Sequence, residues 1–172
     1  MKLPVKPSDV PARIAAGAFI VNTGLTKLKA DEEMAGQLHG MAANAYPFLG
    51  KIPPSVFTRM LATSEVVLGT GLLAPFVPTA VAGAGLAAFA TALIGLYLRT
   101  PGTHEPGSLR PTQQGIPLAK DVWLLGIGLS LVAAGVEAGE RIDVRSNRSK
   151  HRRFSPARPA KLVLARAKGW MR

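Results

Sequence analysis

Long apolar runs constrain this sequence more than any other feature. Three of them are close to 20 residues long and rich in Leu, Ala and Gly, and they cover residues 56–76, 79–98 and 118–136. A bilayer core needs about 20 mostly apolar residues in a helix, and no run alternates polar and apolar residues as a barrel strand does. The sequence therefore predicts three membrane-spanning helices, which we number spans 2, 3 and 4.

A weaker apolar run lies near the N-terminus, over residues 11–28. Its apolar centre is short and polar residues follow it, but Arg13 and Lys27 can extend toward opposite membrane interfaces. A cleavable signal peptide is the alternative, although no small-residue cleavage motif closely follows the apolar centre. We predict that this run is span 1, so that residues 1–137 form an all-α integral membrane four-helix bundle.

The stretch between spans 1 and 2 has the periodicity of a helix. Apolar side chains recur at helical spacing and acidic residues occupy the first turn, where the helix dipole favours anions. The apolar positions are Met34, Leu38, Met41 and Ala45. This pattern predicts a short amphipathic helix that lies at the membrane surface or caps the bundle, and an ordinary packed loop helix fits equally well.

Prolines and glycines mark the other connections. Pro78 ends span 2, and Thr79 is then the predicted N-cap of span 3. Residues 100–117 are rich in glycine and proline and lack apolar periodicity, so they are predicted to be a loop.

Positive charge is concentrated at the C-terminus. Eleven of the 21 Lys and Arg residues follow Ala138, opposed only by Glu140 and Asp143, so this segment carries +9 of the net charge of +11. Polar, basic composition with Ser-Pro-Ala-Arg-Pro predicts that residues 138–172 are a basic, largely disordered cytoplasmic tail. Within it, residues 160–171 have the pattern of a short amphipathic helix.

The tail is predicted to bind a surface. Basic residues gain free energy near anionic lipid headgroups, so adhesion to the membrane is the first interpretation and docking on a soluble protein partner is the second. Nucleic acid is a poor candidate because aromatic residues are sparse among the charges. The candidate contact residues are Arg152, Arg153, Lys161, Arg166, Lys168 and Trp170.

Several classes of chemistry have no support in the sequence. The chain contains no cysteine, which excludes thiol chemistry and Cys-based metal sites formed by this chain alone. His39, His104 and His151 lie far apart without the spacing of metal ligands, and no nucleophile–base pair or phosphate loop is present. We therefore predict no metal and no independent catalytic activity.

The distribution of basic residues predicts the orientation. Lys and Arg near the N-terminus and just after span 4 outnumber those in the two loops on the opposite side, and such residues collect on the cytoplasmic side. With four spans, both termini are predicted to be cytoplasmic. Tyr97 and Trp123 are then expected near the outer interface.

Ionisable residues inside the apolar runs are the candidate site. Glu65 lies near the middle of span 2, Lys27 and Asn22 descend in span 1 from the same side, and Asp121 enters span 4. Such residues usually face the bundle interior and have partners. Lys27 is expected to pair with Glu65, or Asn22 to donate to it. The four side chains form either a polar pocket for a lipid headgroup or a quinone carbonyl, or a set of structural interhelical bonds, which we favour.

Three short segments resemble the DoxX family of small four-helix bacterial membrane proteins. Arg13 and Gly17 followed by the run at 24–28 resemble its first helix, and residues 62–73 resemble its second. Lys120 and Asp121 before an apolar helix resemble its fourth. The resemblance covers residues 13–137, and the basic tail and longer first loop depart from the family pattern.

The resemblance implies architecture more than activity. Members of the DoxX family are associated with membrane-bound oxidoreductase systems, including quinone-linked thiosulfate oxidation and redox-stress complexes. It implies a non-catalytic accessory or anchoring subunit of such a complex, with a protein partner in the membrane or at its cytoplasmic face. The alternative is a protein that binds a quinone or a lipid, or transports a small solute. Association of the chain with copies of itself is compatible with both interpretations.

Overall fold

The computed structural model describes the backbone of residues 5–153 and the side chains of residues 5–138. The chain divides into two compact units, Met1–Ala138 and Gly139–Arg172, and the packing described below belongs to the first. The α-helices in the described range are α1 (Val10–Leu28), α2 (Glu32–Ala45), α3 (Pro54–Leu73), α4 (Thr79–Arg99), α5 (Ile116–Ala119) and α6 (Val122–Arg153).

Within the described residues, three helical segments are long and apolar enough to cross a membrane: Pro54–Leu73, Thr79–Arg99 and Ile116–Ala138. They expose large apolar side chains that a water-soluble domain would bury. Val67 and Trp123, for example, are 66% and 72% exposed. The prediction of an all-α membrane protein is thus confirmed, with three helices of spanning length and hydropathy among the described residues. Helix α1 is not among them, because its polar residues and two basic residues lower its hydropathy.

The helix boundaries follow the predicted spans closely at α1 and α4 and less closely at α3. Helix α3 begins at Pro54, two residues before the predicted span, because proline fits the first turn of a helix. It ends at Leu73, before the predicted residue 76. The predicted N-cap at Thr79 is wrong: Pro78 holds the cap position, and the Thr79 hydroxyl accepts a hydrogen bond from Arg13.

The last helix is longer than predicted. The apolar run ends near residue 136, and polar composition predicts disorder from residue 140, but α6 continues as helix to Arg153. Over residues 140–153 the structure thus describes helix where the composition predicts disorder. No proline occurs between Val122 and Arg153, so nothing in the covalent chain forces the helix to stop where its apolar face ends. Residues 154–172, including the predicted helix at 160–171, lie outside the described residues.

Small residues bring α1 and α3 into close contact. A methyl group added at Gly17 would lie 2.9 Å from the Gly69 carbonyl oxygen, and one at Gly24 would lie 2.9 Å from the Ala62 carbonyl oxygen. Backbone approach at this distance is typical of membrane helices that pack through glycine. The two helices therefore pair along their length with their backbones nearly touching.

Helices α4 and α6 form a second pair of the same kind. A methyl group at Gly83 would lie 2.8 Å from the Gly128 carbonyl oxygen, and Gly135 lies against Ala80. The buried apolar core draws on both helix pairs. Its members are Ala16, Ile20, Leu72, Ala82, Leu86 and Leu131.

Helix α2 forms where the sequence predicts it, but Ala45 alone of the four predicted apolar positions is buried. The Asp31 side chain caps the helix by accepting a hydrogen bond from the Met34 amide at 2.8 Å. The buried residues are Ala35, Ala42 and Ala45, whereas Met34 and Met41 are exposed. Small residues thus seat the helix on the bundle, and its larger apolar side chains stay available to line a cleft.

The predicted loop at residues 100–117 is irregular except for its end, where α5 begins. Thr103 is buried and donates to the Tyr97 carbonyl, while the Tyr97 hydroxyl donates to the carbonyl of Leu109 at 2.9 Å. Gly102 and Gly107 have positive φ angles, which the turns require. Tyr97 therefore lies beneath this loop, in contrast to the exposed Trp123.

Candidate functional site

The basic end of α1 and the middle of α3 meet in a buried ion pair. Lys27 Nζ lies 2.8 Å from both Glu65 Oε1 and Glu65 Oε2. The Lys27 side chain is 21% exposed and that of Glu65 is 4% exposed. Of the two sequence alternatives, the structure shows Lys27 and not Asn22 as the partner of Glu65.

Glycine positions the pair. Gly24 lies one turn before Lys27, and a methyl group there would approach the Glu65 Cβ to 3.0 Å. Because Gly24 has no side chain, α3 comes close enough for the Lys27 ammonium to reach the carboxylate. The Thr23 hydroxyl lies 3.2 Å from Glu65 Oε2 and 2.9 Å from the Ile20 carbonyl oxygen, and its one proton serves one of these acceptors at a time.

The negative charge of the Glu65 carboxylate is thus balanced by the Lys27 ammonium group, and the carboxylate is largely removed from solvent. In a low-dielectric interior an unpaired charge is costly, so each member of this pair depends on the other. The arrangement is that of an interhelical bond between α1 and α3. Two of the three Lys27 Nζ protons are donated to the Glu65 oxygens. A ligand could therefore be bound through the third proton and the adjoining cleft.

Asn22 lies in that cleft, between α1 and α2, which has a volume of about 420 Å³. Its walls combine polar groups of α1 with apolar side chains of α2. They are Asn22, Thr23, Thr26, Lys27, Met34, Gln37, Leu38 and Met41. The face of α2 that the sequence singled out is therefore the wall of this cleft.

Asp121 lies elsewhere, in the turn between α5 and α6. It borders a groove of about 360 Å³ between α1 and α6, whose other walls include Phe19, Trp123 and Ile127. Within the described part of the chain, the Asp121 carboxylate makes no hydrogen bond to Lys27 or Glu65. The predicted four-residue cluster is thus only partly formed. Asn22 and Lys27 line one cleft and Lys27 binds Glu65, whereas Asp121 borders a different groove and interacts with Lys27 only through space, as one charge with another.

Arg13 is the main polar residue that sequence reasoning missed. It was expected to extend to the interface, but it is 2% exposed and its guanidinium donates five hydrogen bonds. The acceptors are the carbonyl oxygens of Gly71, Leu72, Ala74 and Val77 and the hydroxyl of Thr79, at 2.7–3.3 Å.

These carbonyl acceptors need a donor such as Arg13 because they lie at the C-terminal end of α3 and in the turn that follows. The last carbonyl groups of a helix have no partner inside the helix, and those of α3 are followed by a turn that contains Pro75 and Pro78. A planar guanidinium with five donors can satisfy several such acceptors at once. The only sequence signal was a lone arginine within an apolar run.

The tail candidates divide at residue 153. Arg152 and Arg153 lie in α6, and only their backbone is described. Lys161, Arg166, Lys168 and Trp170 lie outside the described residues. Among the residues whose side chains are described, no group of three His, Asp or Glu residues is arranged to hold a metal ion.

Comparison with protein-family models, with curated proteins and with solved structures finds no match for this chain.

Proposed function

We propose that the chain is a four-span protein of the bacterial plasma membrane, with α1 as its first span. Helix α1 has 19 residues, which corresponds to about 28 Å at 1.5 Å per residue. Its two basic residues are hydrogen-bonded inside the protein, Arg13 to carbonyl groups and Lys27 to Glu65. This removes much of the cost that charged groups otherwise impose on a membrane helix.

Both termini are proposed to be cytoplasmic. The support is the excess of Lys and Arg near the N-terminus and after span 4. In this orientation α2 and the loop at 100–115 face outward. The basic tail then lies at the inner leaflet, where Arg152, Arg153 and Lys161 can bind anionic lipid headgroups or a soluble protein partner.

In this membrane the chain acts as a non-catalytic accessory or anchoring subunit of a cell-envelope oxidoreductase or related complex. One observation carries the proposal: the buried charges Arg13, Lys27 and Glu65 have partners within the bundle, while large apolar side chains project from it. Groups engaged in holding helices together leave little for chemistry, and apolar faces suit lipid and membrane partners. The resemblance to the DoxX family supports the redox association.

Purification from native membranes in mild detergent tests this function. Mass spectrometry of the co-eluting proteins and lipids should find a membrane or cytoplasmic oxidoreductase subunit at near-equal amount. A parallel purification without residues 138–172 distinguishes a partner held by the tail from one held by the bundle. Recovery of the chain without any stoichiometric protein would contradict the accessory-subunit proposal.

A second candidate function is supported by the groove between α1 and α6. Its walls are almost entirely apolar, and the only ionisable groups on it are Lys120 and Asp121 at the start of the last apolar helix. A quinone has matching chemistry: an apolar tail for the groove, and carbonyl oxygens that accept a hydrogen bond from an ammonium group.

Quinone binding is tested with the purified chain and a short-chain ubiquinone. Lys120→Met should weaken binding about tenfold, because a hydrogen bond from a charged donor is lost. Lys29→Met is the matched control, since Lys29 is an exposed lysine outside this groove. Equal affinities of the two variants would rule out this candidate and leave the first function unaffected.

A further inference from the structure

A small polar cavity lies where α1 ends, α2 begins and α3 begins. Its volume is about 110 Å³, and it adjoins neither Asp121 nor the groove between α1 and α6. Its polar lining residues are Lys27, Asp31, Glu32, Ser55, Thr58 and Arg59. In the proposed four-span topology, these helix ends place the cavity at the depth where lipid headgroups meet the hydrocarbon core.

Thr58 is the residue that points to a ligand. It is 3% exposed, and its hydroxyl has no hydrogen-bond partner among the described residues. A buried hydroxyl without a partner costs free energy, and native structures contain few of them. Two other hydroxyl groups on α3 are satisfied, since Thr63 donates to the Arg59 carbonyl and Ser64 to that of Leu61.

The charges around the cavity are balanced. Two basic residues, Lys27 and Arg59, and two acidic residues, Asp31 and Glu32, line it. Lys27 is held by Glu65, and one Asp31 oxygen caps α2, so Arg59 and Glu32 are the charged groups least committed to the protein. A lining with both signs of charge matches a zwitterion better than a simple anion or cation.

The surroundings of the cavity favour a lipid over a free metabolite. From Ser55 and Arg59 the outer face of α3 continues as a strip with three exposed apolar side chains, Val56, Met60 and Val67. The hydroxyl groups of Thr63 and Ser64 lie between the last two, and both donate to carbonyl groups of α3. These positions lie along one side of a helix that is apolar enough to cross the membrane. A molecule whose headgroup enters the cavity can therefore lay its acyl chains along α3.

We propose that this cavity binds the headgroup of a phosphoethanolamine lipid, with the phosphate at Thr58 and Arg59 and the ammonium group at Asp31 and Glu32. The Thr58 hydroxyl donates to a phosphate oxygen, and the carboxylates accept from the ammonium group. The acyl chains follow Val56 and Met60 along α3. This site is separate from the groove beside Asp121, and it does not depend on the proposed accessory function.

Native mass spectrometry of the delipidated full chain tests the proposal. Phosphatidylethanolamine should be retained at least about fivefold more than phosphatidylglycerol, which has the phosphate but no ammonium group. Arg59→Gln should lower retention of both lipids about tenfold, the loss expected when a hydrogen bond to a charged group is removed. Glu32→Gln should lower retention of phosphatidylethanolamine alone.

Two controls define the contrary outcomes. Arg110→Gln removes an exposed arginine from the loop at 100–115 and should change nothing. Glycerophosphoethanolamine, which has no acyl chains, should not displace the lipid at equal concentration. Equal retention of the two lipids, unaltered retention in Arg59→Gln, or full displacement by the chain-free headgroup would overturn the proposal.

Thermal unfolding provides a readout that does not rely on retention. Without lipid, Thr58→Val should be at least as stable as the native chain, because it removes a hydroxyl that lacks a partner. Added phosphatidylethanolamine should then raise the Tm of the native chain more than that of Thr58→Val. Equal lipid-induced shifts, or a loss of stability in the lipid-free variant, would show that the hydroxyl does not serve the lipid.

Discussion

At the scale of single residues, Arg13 and Lys27 are stabilised inside the protein by different kinds of partner. Each is a basic side chain in an apolar helix, and each is held by groups of the protein. Lys27 is bound to one carboxylate, Glu65, whereas Arg13 is bound to the carbonyl groups at the end of α3. The cost of a substitution at Lys27 therefore depends on charge, whereas the cost at Arg13 depends on the geometry of the hydrogen-bond donors.

The ion pair predicts a non-additive response to substitution. Lys27→Met and Glu65→Gln should each lower the free energy of unfolding by about 3 kcal/mol, because each change leaves a buried group without its partner. The double variant should recover about 1–3 kcal/mol relative to the sum of the two losses. Unfolding of the four proteins in mild detergent measures this coupling.

The exposed pair formed by Gln37 and Glu33, 3.4 Å apart on α2, is the matched control. Its coupling should be close to zero, since a surface contact between these side chains is screened by solvent. Additive losses at Lys27 and Glu65 would show that the buried pair contributes nothing specific.

Arg13 predicts a strong preference for arginine over lysine. Arg13→Lys keeps the charge but replaces five donors in a plane by three on one nitrogen, so some of the carbonyl groups at 71–77 lose their donor. We expect a loss of about 2–4 kcal/mol in the free energy of unfolding. The exposed Arg110, changed to lysine, should show no loss. Equal stability of Arg13→Lys and the native chain would contradict the role assigned to the guanidinium.

The two residues also show what sequence can and cannot predict. Lys27 and Glu65 could be matched because opposite charges in apolar runs must find partners, and few were available. The partners of Arg13 are backbone carbonyl groups, which every residue has, so no side-chain pattern marks them. Thr58 was not predicted either, because the packing of the helices alone decides whether its hydroxyl has a hydrogen-bond partner.

At the scale of helices, glycine determines which elements pair. Gly17, Gly24 and Gly69 allow α1 to contact α3, and Gly83 and Gly128 do the same for α4 and α6. Apolar runs revealed the helices themselves, because a run of about 20 residues has few other interpretations. Which glycine faces which helix could not be predicted, since α3 and α6 also carry glycines in open surroundings, Gly71 and Gly126.

Two glycines on α3 make a matched test of this packing. A methyl group at Gly69 would lie 2.7 Å from the Gly17 carbonyl oxygen, whereas one at Gly71 would have no atom within 4 Å. Gly69→Ala should cost about 1–3 kcal/mol through overpacking. Gly71→Ala should be neutral or stabilising by up to about 1 kcal/mol, because alanine favours the helix. Thermal unfolding of both variants compares them, and equal effects would refute close packing at Gly69.

At the scale of the whole molecule, one helix serves several surfaces. Helix α1 contributes to the ion pair with α3, to the cleft with α2 and to the groove with α6. The sequence indicated one polar pocket because Lys27, Glu65 and Asp121 are ionisable residues inside apolar runs and such residues usually face the bundle interior. Depth can be counted from a sequence, but the direction in which a residue faces around the bundle depends on helix packing. That direction separated Asp121 from the other two.

The proposed topology predicts an accessibility pattern. The chain has no cysteine, so single cysteines can be introduced without background labelling. Gln113→Cys, in the exposed loop, should react with a membrane-impermeant maleimide on intact cells. Ser8→Cys and Ser155→Cys should react only after permeabilisation. Labelling of Ser8→Cys on intact cells, with Ser155→Cys protected, would instead give three spans and a first helix that does not cross.

The contact between Arg13 and the turn after α3 has a consequence for how the chain is made. Its acceptors follow Arg13 by 58 to 66 residues, so α1 is synthesised well before any of them exists. If α1 is the first span, as proposed, its guanidinium must remain hydrated or bound by a lipid phosphate until the hairpin of α3 and α4 is inserted. In that topology, arrival of the hairpin is the step that allows α1 to take its final position, so insertion of α1 is completed only together with α3 and α4.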